Sequence, residues 1–88
     1  MDNTESTLQF PTEFAIKVFG VKSDEFETAV LAIIRKYFAD LKENCIRTRL
    51  SEDKKYLALT ITVIAESREQ LDNIYRELTA NPLVLMAL

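Results

Sequence analysis

The sequence predicts a single α+β domain with the element order β-α-β-β-α-β. Three observations carry that reading. Residues 13–19, 45–50 and 56–65 alternate two sets of side chains with the period of two that belongs to a strand. Residues 24–38 and 67–79 carry apolar stripes at helical spacing. Between the second and third alternating stretches lies only the charged run 51–55, the length of a hairpin loop.

The elements follow in order. Residues 1–9 are polar and unpatterned and are expected to form a flexible tail, with the domain occupying 10–88. Pro11 fixes its own φ and pushes Phe10 toward an extended conformation, which leads into a strand. In that strand Phe14, Ile16 and Val18 point one way, and Ala15, Lys17 and Phe19 the other. Gly20, the only glycine, is expected to serve a turn that needs a positive φ or a close backbone approach. The first helix has Ser23 or Asp24 as its cap, and Asp24 with Glu27 fits capping-box spacing. Phe26, Ala29, Val30, Ile33 and Tyr37 form its stripe, which Leu31, Ile34 and Phe38 widen.

After a polar connection, Ile46, Thr48 and Leu50 alternate with Cys45, Arg47 and Arg49. In the third strand Leu57, Leu59, Ile61 and Val63 face the core, and Tyr56, Ala58, Thr60, Thr62 and Ile64 face away. Ser67 with Gln70 is a capping box for the second helix, whose inner stripe is Leu71, Ile74, Tyr75 and Leu78. Pro82 ends it, and 83–88 reads as a last strand that is apolar on both faces.

Right-handed crossovers and a tight hairpin turn this order into a ferredoxin-like sandwich. Its four-stranded antiparallel sheet has strand order 4-1-3-2, with both helices on one face. The expected core is Phe14, Ile16, Val18, Phe26, Val30, Ile33, Tyr37, Leu57, Leu59, Ile61, Val63, Leu71, Ile74 and Leu78. The other face stays open. A last strand with free backbone groups and no polar side calls for a homodimer or a protein partner.

Composition narrows the function. Fourteen acidic and eleven basic side chains give a net charge of −3, against the basic footprint of a nucleic-acid or anionic-membrane surface. No stretch is apolar for long enough to span a bilayer, and the N-terminus is acidic rather than basic then apolar. A cytoplasmic protein is expected. One cysteine and no histidine leave no zinc site of the usual kind, no metal, and no imidazole to activate Cys45. No carboxylate pair stands out as an acid and base, so no catalytic residues and no cofactor are assigned. The third strand lacks the aromatic and glycine pattern of an RNA-recognition motif. Two further uses of the fold fail at 20–23, which holds neither a paired-cysteine copper motif nor an arginine-bearing, glycine-rich phosphate cradle.

What remains is a basic group. Strand parity puts Lys17, Arg47 and Arg49 on the open face, with Thr60 and Thr62 between them. They can receive a carboxylate, a phosphate or an acidic patch on a protein. The alternative is a solvated face whose long basic side chains cover apolar surface.

The opening Phe10-Pro11-Thr12-x-Phe14-x-x-Lys17-Val18-x-Gly20 resembles the first motif of the YbeD family of small bacterial proteins. The ending, Tyr75-x-x-Leu78 and then Val84-x-Met86-x-Leu88, is similar to that family's C-terminus. The resemblance implies a ferredoxin-like fold related to ACT regulatory domains, and a regulatory role tied to lipoate metabolism. It brings no catalytic residues. Lys17 and Gly20 are the motif positions it marks.

Two functions are therefore expected as alternatives. One is a non-catalytic regulatory or protein-interaction domain that works through Lys17, Phe19, Arg47, Arg49 and Tyr56. The other is an ACT-like sensor that binds an amino acid or other small carboxylate near Gly20 at a dimer interface.

Overall fold

The computed structural model describes residues 9–88. The tail expected over 1–9 thus lies, except for Gln9, outside the described residues. The elements are β1 (Thr12–Val21), α1 (Asp24–Tyr37), a short 3₁₀ turn (Glu43–Cys45), β2 (Ile46–Leu50), β3 (Tyr56–Ala65), α2 (Arg68–Ala80) and β4 (Val84–Ala87). The sheet order is β2-β3-β1-β4, all neighbours antiparallel. This is the ferredoxin-like order the sequence predicts.

β1 and β3 form the spine. They pair along their full length, from Thr12 opposite Ala65 to Val21 opposite Tyr56. The outer strands are shorter. β2 runs from Leu50 opposite Leu57 to Ile46 opposite Ile61, which leaves 62–65 without a strand on that side. β4 meets β1 only from Val18 to Gly20, extended by reciprocal main-chain hydrogen bonds between Lys17 and Leu88 at 3.0 and 2.7 Å.

The core lies between the sheet and the helices. Ile16 and Val18 of β1 and Leu57, Leu59, Ile61, Val63 and Ala65 of β3 meet Phe26, Val30 and Ile34 of α1 and Leu71, Ile74 and Leu78 of α2. Each helix is capped as its sequence requires. Ser23 Oγ accepts from the Phe26 amide at 3.0 Å, so Ser23 and not Asp24 caps α1. Ser67 Oγ accepts from the Gln70 amide at 3.1 Å, and Gln70 Oε1 reaches back to the Glu66 amide at 2.8 Å. Those bonds satisfy donors that a helix start leaves free.

Several expectations are corrected. Ile34, not Ile33, is the fully buried residue on the third turn of α1, and Ile33, Phe14 and Tyr37 border the core half-buried. The stripe is rotated by one position because Phe26, Val30 and Ile34 follow an i, i+4 line that meets the sheet. Cys45 belongs to the 3₁₀ turn, where its amide donates to the Lys42 carbonyl, and not to β2. Gly20 is inside β1 rather than in a turn, and its φ is not positive.

Gly20 fulfils the other half of its expectation, a close approach. A β-carbon built there would meet the Phe26 ring at 2.4 and 2.5 Å and the Leu83 carbonyl oxygen at 2.6 Å. The missing side chain is the space that Phe26 occupies.

The two helices are joined on their outer side. The Glu77 carboxylate of α2 accepts from Lys36 Nζ and Tyr37 Oη of α1. These bonds hold the Glu77 carboxyl below its ordinary range, first through Lys36 and then Tyr37. They hold Lys36 and Tyr37 above theirs. A depressed carboxylate contributes stability above its unfolded pKa and loses it as pH falls through the folded value. The raised Tyr37 and Lys36 contribute below their unfolded values near 10 and lose it as pH rises through the folded ones.

Glu77→Gln should therefore lower the middle of a stability-against-pH curve from urea titrations, where the bridge is intact, and so flatten both limbs. The size is limited because Lys36 is 58% exposed and screened by solvent. Limbs of unchanged slope would show that this bridge is not linked to folding.

Candidate functional site

The open face is built by strand parity from four strands. Cross-strand neighbours on one face lie about 5 Å apart. Two rows cross the sheet side by side. In the first, Arg47 of β2 is opposite Thr60 of β3, Thr60 opposite Lys17 of β1, and Lys17 beside Leu88. In the second, Arg49 is opposite Ala58, Ala58 opposite Phe19, and Phe19 opposite Met86 of β4. A third pair, Val21 with Tyr56, closes the face at the hairpin end.

The face is basic on the β2 side and apolar on the β4 side. Tyr56 is 47% exposed, Met86 53% and Leu88 60%, while Phe19 is half-buried between its neighbours. Lys17, Arg47 and Arg49 are exposed. None of the three has an ion pair or side-chain hydrogen bond among the described residues. The nearest acid on this face by register is Glu13, two rows beyond Lys17 and opposite Ile64.

Of the six residues singled out from the sequence, the structure puts five on this face. Phe19, Arg49 and Tyr56 line one shallow hollow of about 280 Å³, floored by Ala58. Lys17 and Arg47 flank Thr60 in the next row. Gly20 is not with them. It is buried on the core side, and the Phe26 ring and Leu83 carbonyl leave no room for a ligand there.

Met86 and Leu88 are placed on the face by the β1–β4 register. Parity could not assign them, because β4 is apolar at every position and its pairing shifts between Phe19 and Gly20. β4 is fixed in place by Tyr75 of α2, whose hydroxyl donates to the Leu88 main-chain oxygen at 2.5 Å. The Tyr75 ring in turn meets Phe14 edge-on, centroids 6.5 Å apart. Burial holds the Tyr75 hydroxyl above its ordinary pKa.

A separate groove of about 450 Å³ runs beside the end of α1, lined by Phe38, Leu41, Cys45 and Ile64. It contains none of the basic residues of the face. Cys45 is half-buried there, with its thiol 3.7 Å from Asn44 Oδ1. Among the described residues no helix is long and apolar enough to cross a membrane.

Residues 5–88 match the profile of DUF493, described as a protein of unknown function. A UPF0250 protein from Janthinobacterium sp. (strain Marseille) is 42% identical over 84 residues, covering 96% of this chain and 92% of its own. A UPF0250 protein from Chromobacterium violaceum is 41% identical over 87 residues, covering 99% and 98%. The solution structure of an H. pylori protein superimposes with a TM-score of 0.79 over 99% of this chain and 91% of that one. At 14% identity that likeness speaks to the fold alone.

Proposed function

This chain belongs to the DUF493 family, the UPF0250 proteins that the opening and closing motifs already resemble, and from that premise we propose that it is a non-catalytic, cytoplasmic interaction domain whose open sheet face receives an acidic segment of a partner protein. The observation that carries this is the arrangement of Lys17, Arg47 and Arg49. Three cations occupy adjacent rows of one sheet face with no carboxylate partner among the described residues.

Spacing favours an extended segment. Arg47 and Arg49 are two residues apart on one strand, about 7 Å. That is also the spacing of alternate side chains in a bound strand, so acids at every second position would meet both. Arginine forks grip carboxylates through two parallel hydrogen bonds. Phe19, Met86 and Leu88 offer apolar cover beside them. A second copy fits less well, because two such faces meeting would crowd six cations together.

The sensor reading has less support. On its core side Gly20 is filled by the Phe26 ring and the Leu83 carbonyl, and the hollow at Arg49 is below the usual range for a small-molecule pocket, about 300–1,000 Å³. A role in regulating lipoate metabolism is taken from the family resemblance alone.

The test compares wild type with Lys17→Glu/Arg49→Glu as baits in bacterial extract at low and high salt. The partner should be retained by wild type at low salt, be rich in Asp and Glu at the contact, and bind the variant at least about tenfold more weakly. Equal retention by both baits, or salt-independent retention, would sink the proposal. Both substituted positions are exposed, so the variant should melt with the wild type.

A further inference from the structure

We propose that the hairpin end of the open face is a binding site for a nucleoside phosphate, held by Lys22, Lys54 and Lys55 with Tyr56 as the ring partner. The site uses lysines that the acidic-segment reading does not, and it stands or falls separately from that reading.

The turn after β1 and the hairpin before β3 come together here. The Lys22 amide donates to the Lys55 carbonyl at 2.9 Å, and Val21 is paired with Tyr56. Between them is a hollow of about 480 Å³ lined by Val21, Lys22, Lys54, Lys55 and Tyr56. Three of its five lining residues are lysines and none is acidic. None of the three lysines is ion-paired among the described residues.

Neither of the hairpin's two carboxylates, Glu52 and Asp53, lines the hollow or is ion-paired with these lysines among the described residues. Asp53 accepts from Ser51 Oγ at 2.6 Å and from the Lys55 amide at 3.1 Å, which folds it back into the loop. The loop holds Lys54 in the left-handed region at φ 63°. A β-carbon makes that conformation costly, so a lysine kept there is a backbone outlier of the kind that gathers at ligand clamps.

Charge and shape select the ligand class. A phosphate monoester carries about −1.5 to −2 charges near neutral pH, more than one ammonium neutralises. Lysines act as point charges toward phosphate and need no fixed fork geometry. Tyr56 lines this hollow and also the one containing Phe19 and Arg49, so the two adjoin at this residue. A phosphate on the lysines would leave its carrier over Tyr56, with Phe19 and Arg49 beyond. A flat base stacks on such a surface, and a simple carboxylate or sugar phosphate does not exploit it.

The test is an amide NMR titration of the full chain with adenosine monophosphate, ribose 5-phosphate, adenosine and inorganic phosphate at low ionic strength, where exposed charges are least screened. Saturable shifts are expected at 21–23 and 53–58, with adenosine monophosphate about tenfold tighter than ribose 5-phosphate. Lys22→Glu/Lys55→Glu should abolish them, and Tyr56→Ala should reduce the nucleotide to the affinity of the sugar phosphate. Lys22→Gln/Lys55→Gln, which adds no repulsion, should show the same loss in a protein of unchanged fold. Lys17→Glu should leave binding intact. The inference is overturned if the nucleotide gives no saturable shift at these amides, if it binds no tighter than inorganic phosphate, or if binding survives in both lysine pairs.

Discussion

Phe26→Ala is expected to cost about 3–5 kcal/mol, a large part of the 5–15 kcal/mol that holds most domains folded. Phe26 is fully buried and heads the largest fully buried side chains of the core. Its ring fills two volumes at once, the first turn of α1 against the sheet and the space left open by Gly20. Truncation empties both, and a small domain has few ways to collapse around the void. Urea titration should show the midpoint falling with the slope unchanged. A loss below about 1 kcal/mol would mean that the sheet and helix close over the gap, and that the ring is not central to the packing.

Gly20→Ala approaches the same contact from the other side and should destabilise by about 1–3 kcal/mol or more. In a domain this small each kcal/mol lowers the melting temperature by about 4–8 °C. The new methyl would overlap the Phe26 ring and the Leu83 carbonyl oxygen. A ring can turn or retreat, but the Leu83 oxygen moves only with the turn that leads into β4. Phe26→Leu in the Gly20→Ala background should therefore recover only part of the loss, and hydrogen exchange should report faster opening of β4. Full recovery would assign the whole clash to the ring and release β4 from the account.

Most of the architecture was legible because period-two and period-3.6 patterns do not depend on distant partners. The capping box at Ser67, the five-residue hairpin loop and the alternation of β3 each specify themselves. The site was legible to the extent that parity applies. Lys17, Phe19, Arg47, Arg49 and Tyr56 share a face because strand register makes alternate residues do so.

Three things depended on packing and stayed hidden. Choosing Ile34 over Ile33 needs the rotation of α1 about its axis, which neighbouring apolar positions leave open. The role of Gly20 needs the position of Phe26, six residues on, once the chain has turned back over the sheet. The gathering of Lys22 with Lys54 and Lys55 needs the β1–β3 register, because those lysines belong to loops with no periodicity of their own. The signal in the sequence is the antiparallel sheet order, which brings the end of β1 beside the start of β3.

The long central pair has a consequence for how the protein is made. Thr12 is joined to Ala65, and every other β1–β3 rung also spans a long stretch of chain. Such non-local contacts are slow to close, since loop entropy is lost before they form. On the ribosome the spine cannot begin to assemble until Tyr56 has emerged to meet Val21. Until then α1 is complete but has no sheet to cover Phe26, Val30 and Ile34. The nascent chain thus passes through an interval with its stickiest helix bare, when a chaperone or a stray neighbour has its best access.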